Sequence, residues 1–305
     1  MGDFKLKGLV AAPFTPFHEN GDLNLTPIEP YMNLLLADGV KSVFICGTTG
    51  EGPSMTLPER KSLAEKWVQV GKDKLDAVVV HVGCGNLRET IELAKHAKEI
   101  GASAIASIPS VFFKPKTIDL LVDYMREISL AAPDLPLYYY HIPGLTGTDF
   151  PMYDFMEVAS TRVPNLAGFK FSHMNTEDIM LCLHQYGVKY QFLVGTDSLL
   201  LPSMTFGSEA FVGSTYNFCG KPCNRVIAAF KNKDLEGAQK DQFKFLAMVK
   251  IIVQYGLNVA TQKAMMSLSR IDLGPTRAPI PNTSAEQKEA LKKDLTEMGY
   301  FEWIN

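Results

Sequence analysis

Leu166-Ala167-Gly168-Phe169-Lys170-Phe171, followed by Ser172, reads as a short buried strand with a lysine set into it. A lysine among apolar neighbours must reach solvent, find a partner or lose its charge. Desolvation lowers a lysine's pKa, and a neutral amine can attack a ketone. The plain alternative is a lysine snorkelling from a strand end. The stretch decides the fold because it is one of eight. Upstream lie Gly8–Phe14, Ser42–Cys46, Ala77–Val82, Ala102–Ile108 and Pro136–Ile142, and downstream Tyr190–Val194 and Glu209–Gly213. All are continuous apolar runs rather than alternating ones, as in parallel sheets covered on both faces.

Helical signals fill the intervals. Thr26-Pro27-Ile28-Glu29 and Thr56-Leu57-Pro58-Glu59 each carry a cap, a proline suited to the first turn and a glutamate able to reach back. Asn86-Leu87-Arg88-Glu89 opens a third helix that Gly101 closes. Further helices are expected over Thr117–Leu130, Met152–Ser160 and Asn175–Gln185. Strand, helix, strand recurs with short loops, which predicts α/β architecture, a (β/α)8 TIM barrel. A doubly wound open sheet fits less well, because no G-x-G-x-x-G follows the first strand. After Thr215 no strands remain. Helices are expected at Arg225–Lys231, Leu235–Tyr255 and Val259–Ser269, and Ser284-Ala285-Glu286-Gln287 caps a last one. The barrel is therefore assigned residues 1–232, and a C-terminal helical appendage 233–305, within the same structural domain.

The bulk numbers suit this. At 305 residues, 46% hydrophobic and 21% charged, the chain has the composition of a soluble globular protein able to bury a large core without staples. A net charge of −3 and the lack of a basic block argue against nucleic acid or an anionic membrane as partner. No run approaches the ~20 apolar residues of a membrane span. No long apolar segment follows the charges of Met1-Gly2-Asp3-Phe4-Lys5-Leu6, so no signal peptide is expected there, and Leu6 spoils a myristoylation reading of Gly2. Of the five cysteines, Cys46 and Cys84 fall in apolar runs and read as buried thiols. Cys219 and Cys223 lack the further Cys or His of a zinc pattern. A reducing, cytoplasmic location and no metal are expected.

In such barrels the site lies at the C-terminal strand ends. There the sequence sets Thr48, Thr49, Tyr140, Lys170, Asp197 and Ser214. Gly47-Thr48-Thr49-Gly50-Glu51-Gly52 offers successive N–H groups and two hydroxyls before a helix, which suits a small anion such as a carboxylate. An ordinary glycine-rich turn explains it equally well. Tyr140 can carry a proton if its pKa is tuned, although Tyr138-Tyr139-Tyr140 is also plain strand composition. Lys170 follows Tyr140 by thirty positions, one β/α unit, so adjacent strands would aim both into one mouth. Asp197 and Ser198 either hydrogen-bond a polyol or cap the helix that follows; capping suits Ser198 better. His141 reads as a satisfied supporting residue, His81 is open, and Ser172-His173 has no third member for a nucleophilic triad.

Gly47-Thr48-Thr49-Gly50-Glu51, Tyr140-His141-Ile142-Pro143, Gly168-Phe169-Lys170 and Gly213-Ser214-Thr215-Tyr216-Asn217 together resemble the N-acetylneuraminate lyase and dihydrodipicolinate synthase superfamily. The resemblance covers the whole chain, including Leu273-Gly274-Pro275-Thr276-Arg277. Animal-type N-acetylneuraminate lyases are most similar at Tyr139–Gly147 and Gly168–Ser172. It implies a class I aldolase. Lys170 would form a Schiff base with the C2 ketone of a 2-keto sugar acid. Thr48 and Thr49 would hold its carboxylate, and Tyr140 would move the C4 hydroxyl proton as pyruvate and N-acetylmannosamine separate. The iminium serves as electron sink, so no cofactor is required. Ser172, Gly195, Asp197, Ser198 and Ser214 would contact the sugar, and a homotetramer is implied.

Two departures qualify this. No arginine follows Pro143, where dihydrodipicolinate synthases bind a second carboxylate. Where sialic acid lyases read Gly-x-Asp-Glu, this chain reads Gly195-Thr196-Asp197-Ser198. A shorter 2-keto-3-deoxy sugar acid is the rival substrate. A catalytically silent binding barrel is the rival from another class, and the joint presence of Lys170, Tyr140 and Thr48 speaks against it.

Overall fold

A computed structural model describes residues 4–256 and 258–305. Met1, Gly2 and Asp3, on which part of the reading of the chain's start falls, lie outside them. The strands are β1 (Gly8–Ala11), β2 (Ser42–Ile45), β3 (Ala77–His81), β4 (Ala104–Ser107), β5 (Leu137–His141), β6 (Leu166–Phe171), β7 (Gln191–Val194) and β8 (Ala210–Gly213). Each pairs in parallel with its neighbour, and β1 pairs with β8, so the sheet closes on itself. Helices intervene between the strands. The fold is the expected TIM barrel.

Alternation along each strand divides the core into two layers. Val10, Phe44, Val79, Ala106, Tyr138, Leu193 and Val212 pack together inside the barrel. Val43, Ile45, Val80, Ile105, Tyr139, Phe169 and Phe171 pack with the helices. Both strand faces are thus apolar, which is why the runs read as continuous. The N-terminal end is closed by the segment before β1. Leu6 N–H donates to Gln191 Oε1 at 2.9 Å, and Leu6 O accepts from Gln191 Nε2 at 2.7 Å.

The capping boxes of Thr56 with Glu59 and of Ser284 with Gln287 form, and Asn86 caps its helix at the Glu89 amide. Thr26 does not cap. The helix Ile28–Ala37 begins one residue late, with Pro27 at the cap position and no side-chain bond. Thr26 then lies outside the first turn, its N–H bonded to Asn24 Oδ1 at 3.1 Å, and Glu29 pairs with Lys74 instead.

The helix expected from Arg225 starts earlier. It runs Tyr216–Lys231, with a kink at Cys219 and Pro222 inside. The later helices are Leu235–Gln254, Val259–Ser269, Ala285–Glu297 and Tyr300–Trp303. Tyr300 O–H donates to Phe218 O at 3.1 Å and Trp303 Nε1 to Asp241 Oδ1 at 2.6 Å, tying the chain's end to the helices after β8. All five thiols are free. Cys84 is half-buried rather than buried, because it lies in the loop past β3, 3.3 Å from Thr90 Oγ1. No helix among the described residues is long and apolar enough to cross a membrane.

Candidate active site

At the C-terminal strand ends the barrel opens into a cavity of about 370 Å3. Its walls include Thr48, Thr49, Tyr140, Lys170, Ser172, Gly195, Asp197 and Ser214. A larger cleft of about 680 Å3, between Lys5, His184, Phe206 and Glu209, lies by the strand starts and holds none of these residues.

Register explains the central pair. Tyr140 on β5 is the direct partner of Lys170 on β6. The two therefore point to the same side, into the barrel mouth. Lys170 is only 5% exposed, and its Nζ lies 4.0 Å from the Tyr140 ring centroid and 4.5 Å from that of Phe44. Tyr140 OH is 3.4 Å from Thr48 Oγ1. Burial works to raise the phenol's pKa. The Lys170 charge and hydrogen bonds from Thr48, Lys170 and Ser172 outweigh it and leave Tyr140 below the ordinary tyrosine value.

The Gly47–Gly52 turn leads from β2. Its internal bonds use the amides of Glu51 and Gly52, donated to Thr48 O at 3.1 Å and Gly47 O at 3.0 Å. The Thr48 and Thr49 amides have no backbone acceptor among the described residues. Both residues line the cavity, so these uncommitted amides are available to an anion. Glu51 adopts a left-handed conformation (φ 52°) and buries its carboxylate beneath the turn. There it meets Lys263 Nζ at 3.2 Å and accepts from the Arg277 amide at 3.0 Å. Lys263 also donates to Pro275 O at 2.6 Å. The turn's geometry is thus set from the appendage, more than 200 residues away in the chain.

Gly195 follows β7, and a side chain there would meet Ser172 Oγ and Lys170 Cε, so only glycine lets the lysine pass. Ser172 Oγ donates to Gly195 O at 3.2 Å. Asp197 Oδ2 accepts from Thr215 N at 2.9 Å and Thr215 Oγ1 at 2.6 Å. Burial raises its pKa against these bonds. Asn217 braces the end of β8, its Nδ2 donating to Ala12 O and Ser214 O, both at 2.7 Å.

Ser198 stands apart from the other expected residues. It sits in the single turn Asp197–Leu199 and is not among the residues that line the cavity. It caps no helix either, since Leu199 precedes the next helix without a side-chain bond. Its carbonyl accepts from Gln242 Nε2 at 3.1 Å.

His141 is buried but not satisfied. Nδ1 has no partner among the described residues, and Nε2 lies 3.8 Å from the exposed Asp149. Burial depresses its pKa to about 4. His141, Asp149 and His173 bring one potential ligand atom each within 4.8 Å of one another, beside the cavity rather than in its wall. His81 is neutral, since burial and the Arg60 charge lower its pKa. Its Nδ1–H points to Cys46 O at 3.1 Å while Nε2 accepts from the Ile108 amide at 3.3 Å.

Of the lining residues that the sequence does not assign to the site, Ala12, Ile142, Leu145, Val212 and Gly213 lie at or just past the strand ends, and Asn258, Val259, Gln262 and Ile280 come from the appendage. For Val259 and Gln262 the sequence signals only that Val259–Ser269 is helical. Nothing in a helix's own period tells which strand end it folds over.

Comparison with known proteins gives the same picture. The profile of the dihydrodipicolinate synthetase family matches residues 5–298. N-acetylneuraminate lyase of Rattus norvegicus is 42% identical over 302 residues, covering 97% of this chain and 94% of that one. The lyase of Homo sapiens is 41% identical over 304 residues, covering 99% and 95%. The solved N-acetylneuraminate lyase of Proteus mirabilis superposes with a TM-score of 0.93 at 35% identity, covering 97% of this chain and 100% of that one. On a closed barrel with this site, and with relatives this similar over nearly its whole length, the chain belongs to the dihydrodipicolinate synthetase family.

Proposed function

We propose that this chain is a class I aldolase that cleaves N-acetylneuraminate to N-acetylmannosamine and pyruvate. The observation that carries the reading is the pairing of Lys170 with Tyr140 across β5 and β6, beside a turn with open amides at Thr48 and Thr49. That turn receives the C1 carboxylate and sets C2 at the lysine. The Lys170 amine adds to the C2 ketone and water leaves, giving an iminium. The Tyr140 oxygen takes the C4 hydroxyl proton. The C3–C4 bond breaks, its electron pair moving into the iminium as an enamine, and the aldehyde sugar departs. Protonation at C3 and hydrolysis return the amine and release pyruvate. Tyr140's lowered pKa suits a group that must give and take a proton. Asp197, Ser172, Gly195 and Ser214 supply polar contacts to the sugar.

The five free thiols fit a reducing cytoplasm. Phe112, Phe113 and Phe243, respectively 81%, 83% and 65% exposed, offer apolar surface for assembly as a homotetramer, which light scattering would test.

Pyruvate release from N-acetylneuraminate, measured beside release from 2-keto-3-deoxygluconate, tests the substrate. Faster release from N-acetylneuraminate is expected. Faster release from the shorter acid would assign the chain to that substrate, with the loss of an acidic side chain at position 198 as its cause.

A further inference from the structure

Ser198 is not among the residues lining the cavity, and Asp197 spends one carboxylate oxygen on Thr215. The polar wall for a sugar's far end is therefore thin at β7. The helix Val259–Ser269 adds to it. Asn258 caps that helix, its Oδ1 accepting from the Thr261 amide at 2.9 Å. Gln262, one turn on, lines the cavity with its side chain uncommitted. It is 8% exposed, and Oε1 is buried with no hydrogen-bond partner among the described residues. A buried amide left open is costly unless a ligand or a water completes it. Its placement is firm, because the next residue, Lys263, is locked to Glu51 and Pro275.

We propose that Gln262 is a specificity-determining residue, its amide hydrogen-bonding the hydroxyl or acetamido groups of a 2-keto sugar acid beyond C4. The inference rests on the aldolase reading. A neutral amide matches a hydroxyl or an acetamido group in either orientation of its N and O. It offers no countercharge to a second carboxylate. Gln262, rather than Ser198, then carries the recognition of the sugar's far end.

The test is Gln262→Met, which keeps length and removes both polar atoms. Pyruvate release is measured on whichever of N-acetylneuraminate and 2-keto-3-deoxygluconate the wild type cleaves faster. The pyruvate concentration giving half-maximal borohydride trapping is measured in parallel. KM should rise about three- to tenfold, kcat should change less, and the trapping concentration should stay put, because pyruvate ends at C3. An unchanged KM, a parallel rise in the trapping concentration, or a larger KM effect from Ser198→Ala overturns the proposal. Gln262→Ala serves, under the same outcomes, where the methionine variant fails to fold. A wild type that traps no pyruvate overturns the aldolase reading and this one with it. A wild type that traps pyruvate, with an unchanged KM in the variant, overturns this one alone.

Discussion

Lys263→Met should be the most damaging single change to the appendage, through a turn that Lys263 never reaches in sequence. The ammonium is 4% exposed and its partner Glu51 fully covered, so the pair belongs with buried ion pairs rather than surface ones. A surface pair contributes about 0–1 kcal/mol, whereas breaking a buried one costs about 3–5 kcal/mol because a charge is left uncompensated. Methionine matches the lysine stem in volume, and besides the ion pair the contact of Nζ with the Phe17 ring, 4.7 Å from its centroid, is lost. Glu51 retains the Arg277 amide at 3.0 Å. The expected loss is therefore at the low end, about 3 kcal/mol, or about 6 °C in Tm at roughly 2 °C per kcal/mol for a chain this long. Calorimetry at fixed protein concentration reads it, since assembly also moves Tm. Lys263→Met/Glu51→Gln should recover more than half of the loss by removing the stranded charge. The pyruvate concentration for half-maximal trapping should rise in the single variant, because the turn presenting Thr48 and Thr49 is no longer pinned. A single variant within about 1 kcal/mol of wild type, or a double variant as unstable as the two singles summed, would refute this reasoning.

Tyr140→Phe should lower kcat by about 10²- to 10⁴-fold while pyruvate is still trapped; wild-type turnover would remove Tyr140 from the proton path. Gly168→Ala should destabilise by at least about 3 kcal/mol in a melting experiment, since Gly168 holds φ at 141° and a Cβ would collide with the Gln191 carbonyl; an unchanged Tm would contradict it. Glu59 pairs with Arg277 and accepts from the Thr56 amide at 2.8 Å, which holds its carboxyl at about 2 against an ordinary 4.5. A depressed carboxyl stabilises the fold above its unfolded pKa, and the gain fades as pH falls from 4.5 towards 2. Glu59→Gln should thus be less stable than wild type at pH 7, with the gap narrowing on acidification; a gap that stays constant would count against it.

The strands were legible because both faces of each are buried, so eight apolar runs stand out, and β6 falls where the sequence sets it. Other strands end sooner than their runs. Phe14 stays fully buried beyond the end of β1, so hydrophobicity overstates the hydrogen-bonded length. The start of the Tyr216–Lys231 helix is hidden in the sequence because Gly220 and Pro222 interrupt it, a break the chain absorbs as a kink at Cys219. Within the site, residues on strand ends could be placed from the β/α period alone. Ser198 could not, because it falls in the single turn after β7, which the β/α period does not place. Gln262 and the Glu51–Lys263 pair were invisible for a different reason. They are contacts between segments some two hundred residues apart, and a single sequence carries no trace of that proximity.

Lys170 should form a covalent bond with a 2-keto acid. Incubation with pyruvate and borohydride, followed by peptide mass mapping, reads that bond directly. A reduced pyruvate adduct is expected on the peptide bearing Lys170 and should be absent from a folded Lys170→Ala variant. An adduct confined to another lysine, or none at saturating pyruvate, would contradict it.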